Sequence, residues 1–133
     1  MVIMLDTNVL LSAALFPSAA MTAFIEQITI NNSIVLCSYV LDELSDVVLR
    51  KFPAKQREVE VFFQKFPYTL IHTPKIDILG LGVAIRDEAD YPVLMSAVLA
   101  DVDVLITGDK DFFGVAIEKP EILMPAEFMV RYG

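Results

Sequence analysis

Short apolar runs recur along this chain, separated by longer stretches of helical character. That alternation constrains the fold more than any other feature. Met1-Val2-Ile3-Met4-Leu5, Ile34-Val35-Leu36-Cys37 and Val104-Leu105-Ile106 are unbroken hydrophobic runs, as strands buried on both faces must be. Strands are expected near 2–5, 34–37, 69–72, 103–106 and 121–124. Helical periodicity runs from Ala19 to Ile30 and from Tyr39 to Lys51. Ala54 to Lys65 reads as a helix that opens after Pro53 and stops before Pro67. Pro92 to Ala100 is apolar nearly all round, so that helix should be buried, and Pro125 to Arg131 fits a short terminal helix. Strand–helix alternation of this kind means βαβ units and a parallel sheet with both faces covered. The expectation is a three-layer α/β/α sandwich around a central five-stranded parallel sheet, with one domain spanning 1–133. Strand order does not follow from the pattern.

Composition supports a folded domain and narrows its chemistry. The 133 residues are 56% hydrophobic and 21% charged, enough apolar surface for a substantial core. No apolar run reaches the roughly 18 residues of a spanning helix, so no membrane role is expected. The first residues lack the basic start and small-residue cleavage site of a signal peptide, and are expected to form a strand of the mature fold. The single Cys37 excludes an internal disulfide and a cysteine metal cluster, and with one histidine, His72, a zinc set of His and Cys is excluded too. A cytoplasmic location is the expectation. Gly80-Leu81-Gly82 is too sparse for a phosphate-binding loop, and the serines lack a His–Asp relay unless His72 supplies it.

Two hydrophobic runs end in acids. Val2–Leu5 leads into Asp6-Thr7-Asn8, and Val104–Ile106 leads into Thr107-Gly108-Asp109-Lys110-Asp111. In open α/β sheets ligands bind in the crevice outside the carboxyl ends of the strands, so two strands that deliver acids there suggest one shared site. Asp6, Thr7 and Asn8 are all good helix N-caps, and Asp6 reads equally well as a cap or as a ligand. Glu43 lies about 60° around its helix from Val40, on the flank of the apolar stripe of Val40, Leu44, Val47 and Val48, while Asp42 points away. Asp87, Glu88 and Asp90 form an acidic group just before the buried helix, and Asp90 precedes Tyr91-Pro92 as an N-cap would. Gly108 is expected to allow a turn that a bulkier residue would resist, and Asp109 to cap a short helix. His72 should close a strand and be structural.

The net charge of −8 argues against a polyanionic partner, unless bound dications neutralise the acids locally. Arg50, Lys51, Lys55 and Arg57 fall within eight positions and are the best candidates for phosphate contact, although such clusters are more often solvated helix ends.

Taken as an ordered set, Asp6-Thr7-Asn8, Glu43, Asp90 and Thr107-Gly108-Asp109 resemble the PIN-domain family over essentially the whole chain. The segment from Leu105 to Phe112 is similar to the family's last motif. The closest likeness is to small stand-alone members, VapC-like toxin ribonucleases of toxin–antitoxin pairs. The resemblance implies a metal-dependent ribonuclease, often a homodimer bound to a small antitoxin. It implies that Asp6, Glu43 and Asp90 are the three central acids and Asp109 a fourth, with Thr7, Asn8 and Thr107 as supporting residues. Asp87 is the alternative third acid, and whether Asp111 joins the site stays open.

An all-oxygen carboxylate set suits Mg²⁺ or Mn²⁺ and phosphodiester hydrolysis of RNA. Two other readings are a phospho-acceptor domain using Lys110, and a non-catalytic module whose acids are helix caps and which binds Mg²⁺ or a basic partner. The strong negative charge also favours a small basic antitoxin-like protein as partner.

Overall fold

A computed structural model describes residues 1–74, 91–115 and 117–133. The elements run β1 (Val2–Leu5), α1 (Thr7–Leu15), α2 (Ala19–Asn31), β2 (Ser33–Cys37), α3 (Ser38–Lys51), α4 (Gln56–Lys65), β3 (Thr69–Ile71), α5 (Tyr91–Leu99), β4 (Val104–Ile106), β5 (Glu121–Leu123) and α6 (Pro125–Tyr132). Single 3₁₀ turns cover Pro53–Lys55 and Lys110–Phe112. All five strands anticipated from the hydrophobic runs are present, with ends that move by one residue at most. The helix expected from Ala54 begins as the 3₁₀ turn and becomes α-helical at Gln56.

The strands form one parallel sheet in the order β3-β2-β1-β4-β5. Ile3, Met4 and Leu5 are consecutive, so they point to opposite faces, yet all three are fully buried. The same holds for Val104, Leu105 and Ile106 in β4. Both faces of the central strands are therefore covered, which is the physical content of the expected sandwich. On the helical layers, α1 packs on α3 and α4, α3 packs on α5, and α2 packs on α6. Among the described residues, no single helix is long and apolar enough to cross a membrane.

Strand order supplies what periodicity withheld. The chain moves outward from β1 through β2 to β3, then returns to the other side of β1 to lay down β4 and β5. The direction of winding reverses between β1 and β4, and a crevice opens at the carboxyl ends of strands at such a switch point. Asp6 and Thr107 are the first residues past those two strands.

Candidate functional site

The site starts from strand register. Leu5 lies opposite Ile106, and the Asp6 N–H donates to the Ile106 carbonyl at 3.0 Å. The ladder continues outward, with the Thr107 N–H donating to the Leu123 carbonyl at 3.0 Å. Asp6 and Thr107, distant by 101 positions in the chain, thus leave the sheet side by side.

Both carboxylate oxygens of Asp6 are held. Oδ1 accepts from the Thr7 N–H at 2.7 Å, and Oδ2 accepts from the Thr107 hydroxyl at 2.9 Å. The Thr107 Oγ1 in turn accepts from the Asp109 N–H at 3.0 Å, which leaves its single proton for Asp6. The Asp109 Oδ1 accepts from the Asp111 N–H at 2.9 Å and caps the 3₁₀ turn, as anticipated. Asp6 is also the N-cap of α1, which begins at Thr7. Cap and candidate site residue are therefore one and the same side chain.

Asp6 is only 4% exposed. Burial pushes its carboxyl above the ordinary range; the bonds from Thr107 and Thr7 pull it back, and the charges of Glu43 and Asp109 push it up again. The charges of Glu43 and Asp109 are thus felt at Asp6, as the weakest of these influences. Glu43 is half-buried on α3, whose inward residues are Val40, Leu44 and Val48, and Asp42 is exposed, as helical geometry required.

The start of α3 is fixed by a polar clasp. The Tyr39 N–H donates to Thr73 Oγ1 at 3.1 Å, and the Thr73 N–H donates to Ser38 Oγ at 2.9 Å. Ser96 Oγ on α5 lies 3.0 Å from Thr73 Oγ1. Sequence reasoning passed over these three residues. The available signal was Ser96 itself, a hydroxyl inside a wholly apolar helix, which must find a partner when buried.

Two expectations need correction. Asn8 is exposed, and neither oxygen of Asp6 is bonded to it; one residue into a helix that Asp6 caps, its side chain projects outward, and Thr107 does the orienting. Gly108 is not needed for its turn, because a Cβ there would meet nothing within 4 Å and its backbone is not left-handed. His72 lies one residue beyond β3 and is exposed. Asp87, Glu88 and Asp90 lie outside the described residues, although α5, which follows them, starts at Tyr91 and packs on α3.

Among the described residues, no three acids, histidines or cysteines close into a ready cage for a metal ion. The electrostatics nevertheless suit one. Asp6 is a buried carboxylate flanked by two more acids, and among the described residues none of the three makes an ion pair with Lys or Arg. The Thr7 Oγ1 beside it is a buried hydroxyl with no hydrogen-bond partner. Buried charge without a counter-charge is costly, and an all-oxygen donor set favours a hard dication as the remedy.

A family model described as the PIN domain matches residues 2–111. Among solved structures, the fold is similar to a chain in the crystal structure of VapBC2 from Rickettsia felis bound to a DNA fragment from their promoter. The TM-score is 0.74 at 22% identity, covering 92% of this chain and 97% of that one. At that identity the likeness speaks for the fold. A search of curated proteins by sequence found no match.

Proposed function

This chain belongs to the PIN-domain family, and from that premise we propose that it is a Mg²⁺- or Mn²⁺-dependent endoribonuclease, the toxin of a toxin–antitoxin pair. The observation that carries the reading is Asp6: a buried carboxylate at the switch point, clamped by Thr107, feeling the charges of Glu43 and Asp109 and, among the described residues, paired with no Lys or Arg. Asp6 would be the central ligand, with Glu43 and Asp109 closing on the ion and Asp90, the residue before α5, completing the set.

When bound, such a dication would orient the scissile phosphate, acidify a water and stabilise the leaving oxygen. The chain's own contribution is preorganisation. Thr107 spends its only proton on Asp6, so the carboxylate cannot rotate away. The Thr7 N–H fixes the other oxygen. The Ser38–Thr73–Ser96 clasp sets the first turn of α3 and hence the height of Glu43. Gathering like charges before the substrate arrives is expensive in the empty protein, and that cost is returned when the ion binds.

The partner reading follows from charge and surface. With a net charge of −8, and with Ile30 of α2 and Val130 of α6 exposed, a small basic antitoxin-like protein fits this chain, and we extend that to a homodimer. VapBC2, the similar structure, is itself described as bound to promoter DNA.

The test is cleavage of single-stranded RNA by purified protein with Mg²⁺ or Mn²⁺. Wild type should cut and EDTA should stop it. Asp6→Asn should lose at least about a hundredfold in rate, more than the loss usual for a residue that only supports a ligand. An Asp6→Asn protein that cuts as fast as wild type refutes the assignment.

A further inference from the structure

The nuclease reading gives no role to the densest group of cations in the chain. Arg50, Lys51, Lys55 and Arg57 occupy the carboxyl end of α3, the 3₁₀ turn after it and the first turn of α4. Their position relative to the acids is set by helix geometry. Arg50 comes seven residues after Glu43, which places it within about 20° of the same side of α3 and about 10 Å further along the axis. Helices α1 and α3 follow neighbouring parallel strands and pack on each other, so both lead away from the acid pocket toward this basic end.

At the far end of α1 stands Phe16, 52% exposed. The Lys55 Nζ lies 5.0 Å from the centroid of its ring and donates to the Leu15 carbonyl at 3.5 Å, while Phe52 meets the ring edge-on at 5.4 Å. Lys55 is thus occupied in holding an exposed ring in place. Among the described residues, Arg50 pairs only with exposed Asp46, at 3.7 Å, a contact worth little in water. Lys51 and Arg57 are exposed and make no ion pair among the described residues.

Cations for phosphates and a fixed aromatic face for a base are the two components of single-strand binding. On a chain of net charge −8, these four of its ten Lys and Arg residues are the closest grouped in sequence. We propose that Arg50, Lys51 and Arg57, with the Phe16 ring, form the track for the single-stranded RNA that flanks the scissile phosphate, running down α3 from Glu43. This rests on the nuclease reading above. Asp46 sits on the same track and opposes it, so its removal should help rather than harm.

The experiment is fluorescence anisotropy with a labelled single strand of roughly a dozen nucleotides, across a salt series, with EDTA present so that nothing is cut. The triple variant Arg50→Gln/Lys51→Gln/Arg57→Gln should weaken binding about tenfold and lower the slope of log affinity against log salt by about 2. The charge-conserving triple Arg50→Lys/Lys51→Arg/Arg57→Lys should keep the slope. Phe16→Ala should weaken binding about fivefold without changing the slope, and Asp46→Asn should tighten it. Melting curves confirm that each variant is folded. A wild type that cuts RNA, with affinity and slope unaltered in the folded triple variant, overturns the track and spares the nuclease reading. A protein that binds RNA through these cations but cuts none with Mg²⁺ or Mn²⁺ keeps the track and removes the nuclease.

Discussion

The two ends of the β1–β4 strand pair carry the same chemical group in opposite circumstances. At the amino end, the Asp103 Oδ2 accepts the Val2 N–H at 2.7 Å, and Lys119 bridges Asp103 and Asp101 at 3.5 and 3.1 Å. Those contacts, the Val2 hydrogen bond foremost, hold the Asp103 carboxyl below its ordinary range. At the carboxyl end, Asp6 is buried, bonded among the described residues only to the neutral donors Thr7 and Thr107, and its carboxyl is pushed up, by burial first and by the charges of Glu43 and Asp109. One end ties the first strand to the fourth with compensated charge. The other concentrates charge that no described Lys or Arg compensates. An acid that the fold has already satisfied reads as structural, whereas an acid buried among like charges is a functional-site candidate.

Substitution should separate the two ends most widely. Asp6→Asn should abolish cleavage while raising the melting temperature of the metal-free protein near neutral pH, because it removes a buried charge but keeps an acceptor for Thr107. Asp103→Asn should leave cleavage at the wild-type rate and slightly lower the melting temperature. Equal loss of activity in both variants would erase the distinction.

Thr107→Val is the next largest effect. It removes the proton that orients Asp6 and the acceptor of the Asp109 N–H, while keeping every carboxylate in the chain. Cleavage should fall about 10- to 100-fold, as when the partner of a metal ligand is lost. A smaller cost falls on the clasp: Ser96→Ala should destabilise by about 1 kcal/mol, measured by urea unfolding, since it removes one partner from a buried hydrogen-bonded set.

The smallest effect is in the pH dependence of metal-free stability, where the two acids have opposite signs. Asp6 has a folded pKa above its unfolded value, so its ionisation favours unfolding, and stability should fall as pH rises from the ordinary carboxylate range through the raised pKa. Asp103 has a folded pKa below its unfolded value, so its contribution is present above the ordinary range and disappears as pH falls through the lowered one. Urea midpoints across that range should lose the first limb in Asp6→Asn and the second in Asp103→Asn.

Much of this arrangement was legible in the residues. Each strand is a short hydrophobic run, and every helix but α1 carries its own periodicity or proline boundary; α1 was marked only by the capping residue types at Asp6, Thr7 and Asn8. The flank position of Glu43 needed only 100° per residue. Register was not legible: nothing local to Asp6 says that Thr107 will stand beside it, because that pairing depends on β4 returning to the inner side of the sheet. Asn8 misled for the same reason, since its neighbour along the chain is not its neighbour at the site. Gly108 misled because glycine was taken to be required by a turn that turned out to leave room for a side chain.

The central claim is that the carboxyl-end acids form a divalent-cation site and the amino-end acids do not. Thermal unfolding with and without Mn²⁺ tests it most directly. Wild type and Asp103→Asn should gain about 2.7 kcal/mol at an ion concentration 100 times the dissociation constant, and Asp6→Asn should gain nothing. Equal stabilisation of Asp6→Asn and wild type, or none in wild type, would contradict the account.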